Sequence, residues 1–283
     1  MGGWEGIILS QPLVSIIIPA YNSLPLLKVC LDTVFRQDIA DLGEMEVIVV
    51  DDGSSDGTWA WLQEILPEHP ELHPIHLNDL GVAAARNIAL EAATGTYVRF
   101  IDGDDALCEG SMRALLEPVL REHSDFAVGA FYRKIGDSQT VRNAGGTDRT
   151  CSIEDYLELF TRYSSSYYIG VVWNKLFRRD LIEEAGIRFR GGMYYGEDFL
   201  FVNEYLAGCK RVSIVSHPVY VYYFNPRGMT IRQVKSIFTH PIKNIRLKGT
   251  LFRSYKTLFR RQGLYEKYRL RVNLYPIKIN FDQ

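Results

Sequence analysis

Over its first hundred residues the chain switches repeatedly between continuous apolar runs and apolar stripes of helical spacing. Residues 14–18 form a β-branched run ending at Pro19, the pattern of a strand buried on both faces. Asn22 and Ser23 are suited to cap a helix, Pro25 suits its first turn, and Leu27, Leu31, Val34 and Phe35 make one apolar stripe. A second buried strand over 46–50 runs into the turn-rich Asp51-Asp52-Gly53-Ser54-Ser55-Asp56-Gly57, and a helix follows over 58–66. A weaker strand over 72–77 precedes a helix over 82–93. The next strand, 97–101, ends directly on Asp102-Gly103-Asp104-Asp105. Strand and helix alternating at this spacing predict βαβ units, hence an α/β, Rossmann-like, mostly parallel sheet with helices on both faces. Ligands in such sheets bind beyond the carboxyl ends of the strands, so polar loops after strands are where chemistry is expected.

Beyond residue 142 the pattern loosens. Residues 152–163 read as helix, 171–177 as strand, 196–207 as helix, and 212–215 and 219–224 as strands. From 234 onward the spacing is helical, broken at Gly263 and Pro276. No internal repeat or low-complexity linker interrupts the chain. The expected organisation is a domain over 12–232, with a first half to about 132 and a second half from 133, followed by a helical extension over 233–283.

Composition changes this picture in two places. The 283 residues are 47% hydrophobic and 23% charged, which excludes a disordered or fibrous chain. The net charge of -2 excludes a general electrostatic trap for nucleic acid. That average hides an asymmetry, because residues 233–283 carry six Lys and six Arg against Glu266 and Asp282. The four cysteines, Cys30, Cys108, Cys151 and Cys209, have no metal or redox spacing and suggest a reducing compartment. The first residues lack a basic n-region, and no apolar run is long enough to span a bilayer. The expected location is cytoplasmic, or peripheral on the inner face of the cell membrane.

Three carboxylate clusters are expected where strands end: Asp51/Asp52, Asp102/Asp104/Asp105 and Glu197/Asp198, the last pair also suited to start a helix behind Gly196. Taken alone, Asp102-Gly103-Asp104-Asp105 also reads as an ordinary solvated turn. Carboxylates at i and i+2 leaving a buried strand are equally suited to grip one hard cation while leaving its other positions to phosphates and water. Competing chemistries lack their motifs. The first strand runs into Pro19-Ala20-Tyr21-Asn22 and not into GxGxxG, and GxxxxGK[ST] is absent. Val50 stands where an aspartyl-nucleophile phosphatase needs Asp, and no glycine-rich basic loop of a pyrophosphorylase follows the first strand.

Residues 14–22 (VSIIIPAYN) followed by 49–58 (VVDDGSSDGT) resemble the opening of family 2 glycosyltransferases. Gly81-Val82-Ala83-Ala84-Ala85-Arg86-Asn87 resembles the third signature of that family, Asp102-Gly103-Asp104 its DxD metal motif, and Tyr195-Gly196-Glu197-Asp198 its later Glu-Asp motif. The elements occur in family order over about residues 12–225. The resemblance implies a GT-A fold and transfer of a sugar, with inversion, from a nucleotide diphosphate donor, most plausibly UDP-linked, to a hydroxyl. It implies Mn²⁺ or Mg²⁺ as cofactor. On this pattern Pro19 and Tyr21 line the base pocket, Asp52 accepts from the base with Asp51 beside it, and Arg86 approaches the nucleotide or its diphosphate. Asp102 meets the ribose or the metal, Gly103 adjoins the nucleotide, Asp104 ligates the metal, and Asp198 is the general base. Gly103 replaces the serine frequent in the family.

Residues on the acceptor side are less clearly marked. Trp173, in Trp173-Asn174-Lys175, resembles a recurrent stretch near the acceptor site; Glu197, Tyr194 and Tyr195 are further candidates, although a lone Trp is more often core. No histidine has a partner at ligand spacing, and His217 is the only one near the expected metal end. The implied partners are a nucleotide sugar and a glycan or lipid-linked saccharide acceptor, in a setting of bacterial surface glycan synthesis. Loss of catalysis with retained nucleotide-sugar binding is the alternative. In the tail, Leu251, Phe252, Tyr255, Leu258 and Phe259 form a stripe among Arg253, Lys256, Arg260 and Arg261. It is suited to packing on the domain, to dimerisation, or to an anionic membrane; nothing accompanies it that supports nucleic acid.

Overall fold

A computed structural model describes residues 11–143, 146–162, 170–193, 195–224 and 241–275. Tyr194 and the tail stretches 225–240 and 276–283 lie outside the described residues. The first half carries β1 (Val14–Ala20), α1 (Leu24–Phe35), β2 (Met45–Asp51), α2 (Thr58–Ile65), β3 (Leu72–His76), α3 (Val82–Ala92) and β4 (Tyr97–Phe100). It continues with β5 (Ala106–Leu107) and α4 (Ser111–Glu122). The second half carries β6 (Phe126–Ile135), β7 (Ser138–Arg142), β8 (Arg149–Ser152), α5 (Ile153–Arg162) and β9 (Lys175–Arg178). It ends with α6 (Arg179–Glu184), α7 (Glu197–Leu206), β10 (Arg211–Tyr223), α8 (Pro241–Arg261) and α9 (Tyr265–Asn273).

The sheet runs β3-β2-β1-β4-β9-β6-β10-β5, with β7 beside β6 and β8 beside β10. β3, β2, β1 and β4 are parallel, and Ala20, Asp51 and His76 stand level at their carboxyl ends. The βαβ reading therefore describes the first half. β9 pairs antiparallel with both β4 and β6, and thereby joins the two halves. It begins at Lys175, four residues later than the apolar run suggests. Residues 171–174 turn instead, which lets Asn174 donate from Nδ2 to the Gly129 carbonyl. The two strands read over 212–224 form the single strand β10, whose register on β6 shifts around Pro218. Proline has no N–H for the ladder, so the strand bulges there and continues.

α1 starts where Pro25 predicts and buries Leu27, Cys30, Leu31 and Val34. Its cap differs from the sequence reading. Ser23 makes no side-chain cap bond; Asp56 Oδ2 accepts the Leu24 N–H from across the loop at 2.9 Å. Asn22 sits at φ 46 and accepts the Ser55 N–H, so β1, α1 and the Asp51–Gly57 loop are tied together. The tail stripe is internal: Leu251, Tyr255, Leu258 and Phe259 are buried, α8 packs on α7, and Tyr255 meets Phe160 of α5.

Away from the strand ends, Glu46 Oε1 accepts from Ser15 Oγ (2.6 Å) and from the N–H groups of Thr94 and Gly95. Burial opposes its ionisation, but these hydrogen bonds win and hold its carboxyl below the usual range. A Cβ on Gly95 would lie 2.6 Å from the Ser15 nitrogen, where backbone has to move. Gly95→Ala is expected to cost about 1–3 kcal/mol, read as a lower urea midpoint at unchanged m-value.

Candidate active site

Parallel pairing brings the polar ends of β1, β2 and β4 to one edge. Pro19 is half-buried at the end of β1, and Tyr21 follows it with 53% of its surface exposed, leaving a ring face open. Asp51 and Asp52 are buried. Asp51 accepts the Ser54 N–H at 3.2 Å, and its other oxygen lies 2.9 Å from His76 Nδ1. Asp52 accepts the N–H groups of Leu80 and Gly81, at 2.8 and 2.7 Å. Asp52 thus fixes the loop entering α3. Each of its oxygens keeps lone-pair capacity for one more donor.

The centre of the site is Arg86, in the second turn of α3 and 4% exposed. Its Nη2 donates to Asp102 Oδ1 at 2.6 Å and its Nη1 to Asp198 Oδ1 at 2.8 Å, with Glu197 3.9 Å away. The sequence reading aimed Arg86 at the nucleotide; the structure turns it between two carboxylates that lie 96 positions apart in the chain. Its charge is held by those anions against desolvation, and its pKa rises above the ordinary value. Phe189 packs over the guanidinium at 5.2 Å, and Asn87 pins Phe189 by donating to its carbonyl and accepting its N–H.

Glu197 and Asp198 occupy the first turn of α7, whose N-cap Gly196 has φ 87. The helix N-terminus and the Val172 N–H both favour an ionised Asp198. Burial pushes its carboxyl up to about 7, Arg86 opposes, and Glu197 and Asp102 add to the rise. Lys175, buried behind it, donates to Asn174 Oδ1 at 2.7 Å; desolvation pushes its ammonium well below the usual range while Asp198 opposes.

Across the turn from β4, Asp104 is exposed while Gly103 is buried. A Cβ on Gly103 would stand 3.0 Å from the Pro19 carbonyl, which accounts for glycine there. Crowding by surrounding protein and then the charge of Asp102 raise Asp104 to about 6; given its exposed surface, the neighbouring charge is the firmer cause. Asp105 turns inward, accepting from the Tyr220 hydroxyl and the Tyr223 N–H, both at 2.8 Å. Tyr220 also accepts the Asp102 N–H at 3.1 Å, so β10 holds the acidic turn in place. No local pattern singled out Tyr220; its signal lies in pairing distant in sequence.

Among the described residues no three His, Cys, Asp or Glu cluster as a metal-holding group. Asp102 and Asp104 offer two oxygen donors whose mutual repulsion a cation relieves, and a divalent ion that takes its remaining ligands from phosphate fits such a pair. The acceptor reading of Trp173 is corrected. The residue is 3% exposed and packs on Phe131, Tyr220 and Tyr222, with no face for a sugar. Tyr195 is half-buried and donates to Asn244 Oδ1 of α8 at 2.5 Å. His217, read as a loop histidine, lies within β10 beside its bulge, 3.1 Å from the Glu109 carbonyl.

The family model for glycosyl transferase family 2 matches residues 15–186. An uncharacterized glycosyltransferase of Bacillus subtilis, EpsJ, is 30% identical over 220 residues, 77% of this chain and 63% of that protein; the chain thus spans less than two thirds of that relative. Staphylococcus aureus TarS 1-349 in complex with UDP-GlcNAc superposes with a TM-score of 0.69 at 22% identity, covering 88% of this chain and 66% of that one. The Pyrobaculum calidifontis mannosyltransferase PcManGT in complex with GDP-Man and Mn²⁺ gives 0.56 at 22% identity, covering 89% and 65%.

Asp104, Asp105 and Asp198 all have folded pKa values above their unfolded ones, so each favours folding at low pH and loses that contribution as pH rises through its folded value. In chelator the urea midpoint is expected to fall between about pH 5 and about pH 8, and Asp104→Asn to flatten part of that fall.

Proposed function

The chain belongs to glycosyl transferase family 2 and has the GT-A fold; from that premise we propose that it transfers a sugar, with inversion, from a nucleotide diphosphate to a hydroxyl of a glycan or lipid-linked saccharide. UDP is the preferred nucleotide. The carrying observation is Arg86, which holds Asp102 at the strand end and Asp198 at the helix start on either side of one guanidinium. Inversion is a single displacement, so base and leaving group stand on opposite faces of the sugar. A fixed spacing between a nucleotide-side carboxylate and a base-side carboxylate suits that requirement.

Tyr21 presents an open ring for stacking on the base, and Asp52 accepts from a base N–H with its spare lone pairs. Asp102 and Asp104 would hold Mn²⁺ or Mg²⁺, which when bound would supply positive charge to the diphosphate leaving group. Asp198 takes the proton of the acceptor hydroxyl as the new bond forms. Arg86 keeps Asp198 oriented and counters the rise that burial causes, so that the base titrates near neutrality. Glu197 and Tyr195 stand beside it on the acceptor side, at the start of α7. A surface-glycan role is supported by the family resemblance.

Calorimetric titration of UDP, with GDP as comparison, tests this reading in Mn²⁺ and in EDTA. UDP affinity is expected to need the metal, and Asp104→Ala to remove that gain while leaving affinity in EDTA unchanged. Equal weakening in chelator would remove Asp104 from the metal. Asp198→Asn is expected to keep UDP binding while transfer falls about a hundredfold to ten-thousandfold. Wild-type protein that binds UDP-sugars and transfers none would favour the binding-module alternative.

A further inference from the structure

With its apolar stripe buried against α7 and α5, α8 has a second face to account for. The helix carries seven Lys and Arg and no acid in 21 residues. Arg246, Arg253 and Arg260 recur every seven residues, so they share one stripe about 21 Å long, opposite the buried Leu251, Tyr255 and Leu258. All three are exposed, and Arg261 is exposed beside them. Lys256 and Arg260 lie over the Tyr265 ring at 4.9 and 5.0 Å, and Arg253 donates to Thr250 Oγ1. Among the described residues, no carboxylate lies within ion-pair distance of Arg246, Arg253, Lys256, Arg260 or Arg261. The cations of α9 differ: Lys267 and Arg271 pair with Glu154 and Glu158 of α5.

Apolar side chains accompany this charge. Ile245, next to Arg246, is 72% exposed; Leu270 on α9 is 82% exposed, and Leu274 one turn on is exposed with it, beside Arg269. We propose that the outer face of α8, with these aliphatic side chains, docks the protein on an anionic lipid surface. Cations bind the headgroup charge, while isoleucine and leucine enter the acyl boundary. A polynucleotide would leave the aliphatic groups in water, and the one ring at the stripe, Tyr265, is already covered by Lys256 and Arg260, which removes a stacking platform. A second copy meeting the stripe across a two-fold axis would set like charges together. The opposite, buried side of α8 packs at the start of α7. Asn244 at the start of α8 takes the Tyr195 hydroxyl, and Leu251 stands against Gly196, the residue before Glu197 and Asp198. Docking itself does not require the transfer reaction.

The test is co-sedimentation of the full chain, without nucleotide, with phosphatidylcholine vesicles containing phosphatidylglycerol and with phosphatidylcholine alone. Partition is expected with the anionic vesicles only, and it should fall as salt shortens the screening length. The triple variant R246E/R253E/R260E is expected to lose about a hundredfold or more, at about fivefold per cation. L270S/L274S should lose at least about tenfold, and about a hundredfold where both leucines are fully inserted, while keeping the salt dependence. Circular dichroism and the urea midpoint establish that both variants are folded. Equal partition to neutral vesicles, or undiminished binding by the triple variant, overturns the proposal. So does the absence of vesicle binding from a chain that instead binds RNA or dimerises through the same arginines. These readouts are independent of UDP binding, so failure here is distinguishable from failure of the transfer reading.

Discussion

One buried guanidinium determines how the active-site edge is assembled. Arg86 takes a carboxylate from the β4 turn and another from the start of α7, and among the described residues neither anion has a second arginine. Removing one member of such a buried set leaves an uncompensated charge, at a cost of about 3–5 kcal/mol. That exceeds what any single exposed ion pair elsewhere contributes. Among the described residues the cluster is also unbalanced: Asp102, Asp104, Glu197 and Asp198 stand around Arg86, and burial, with the neighbouring carboxylates adding to it, raises the Asp104 and Asp198 carboxyls. A site in that condition favours a further cation, and an incoming diphosphate becomes tolerable only with one.

The rest of the architecture serves to bring those groups together. Parallel β1, β2 and β4 set Tyr21, Asp51, Asp52 and Asp102 along one edge. β9, antiparallel to both β4 and β6, closes the sheet around to the second half, and the turn before it supplies the Val172 N–H to Asp198. Tyr220 of β10 reaches back to Asp102 and Asp105. Arg86 of α3 and Tyr220 and Tyr223 of β10 therefore hold the Asp102–Asp105 turn, so its carboxylates can be pressed together without spreading.

The parts legible in the sequence were those governed by local rules. β-branched runs marked the buried strands, Gly196 with two acids marked the start of α7, and the acidic turns fell where strands end. What depends on long-range partners was not legible. The pairing of Arg86 with Asp102 and Asp198 was hidden because these carboxylates lie 16 and 112 residues away. Trp173 stayed open between acceptor platform and core because nothing local reveals that Tyr220 and Tyr222 of β10 pack against it. The capping of α1 by Asp56 went unseen for the same reason.

The basic tail shows how apolar packing and charge divide one helix. Detaching α8 would expose Leu251, Tyr255, Leu258 and Phe259, at roughly 1.5–3 kcal/mol each. Their sum is comparable with the whole stability of a typical domain, about 5–15 kcal/mol. The helix is therefore fixed, and its cations are displayed in a fixed orientation. Gly196 makes this consequential for the site. It adopts φ 87, and a Cβ there would meet Leu251 at 2.8 Å, so only glycine lets α7 begin directly under α8. Asp198 is thus held by Arg86 through a charged hydrogen bond, while the packing of α8 sets the start of its helix. The same helix that orders the candidate base presents the arginine stripe outward. Any surface that engages the stripe therefore meets the enzyme in a defined orientation relative to Asp198.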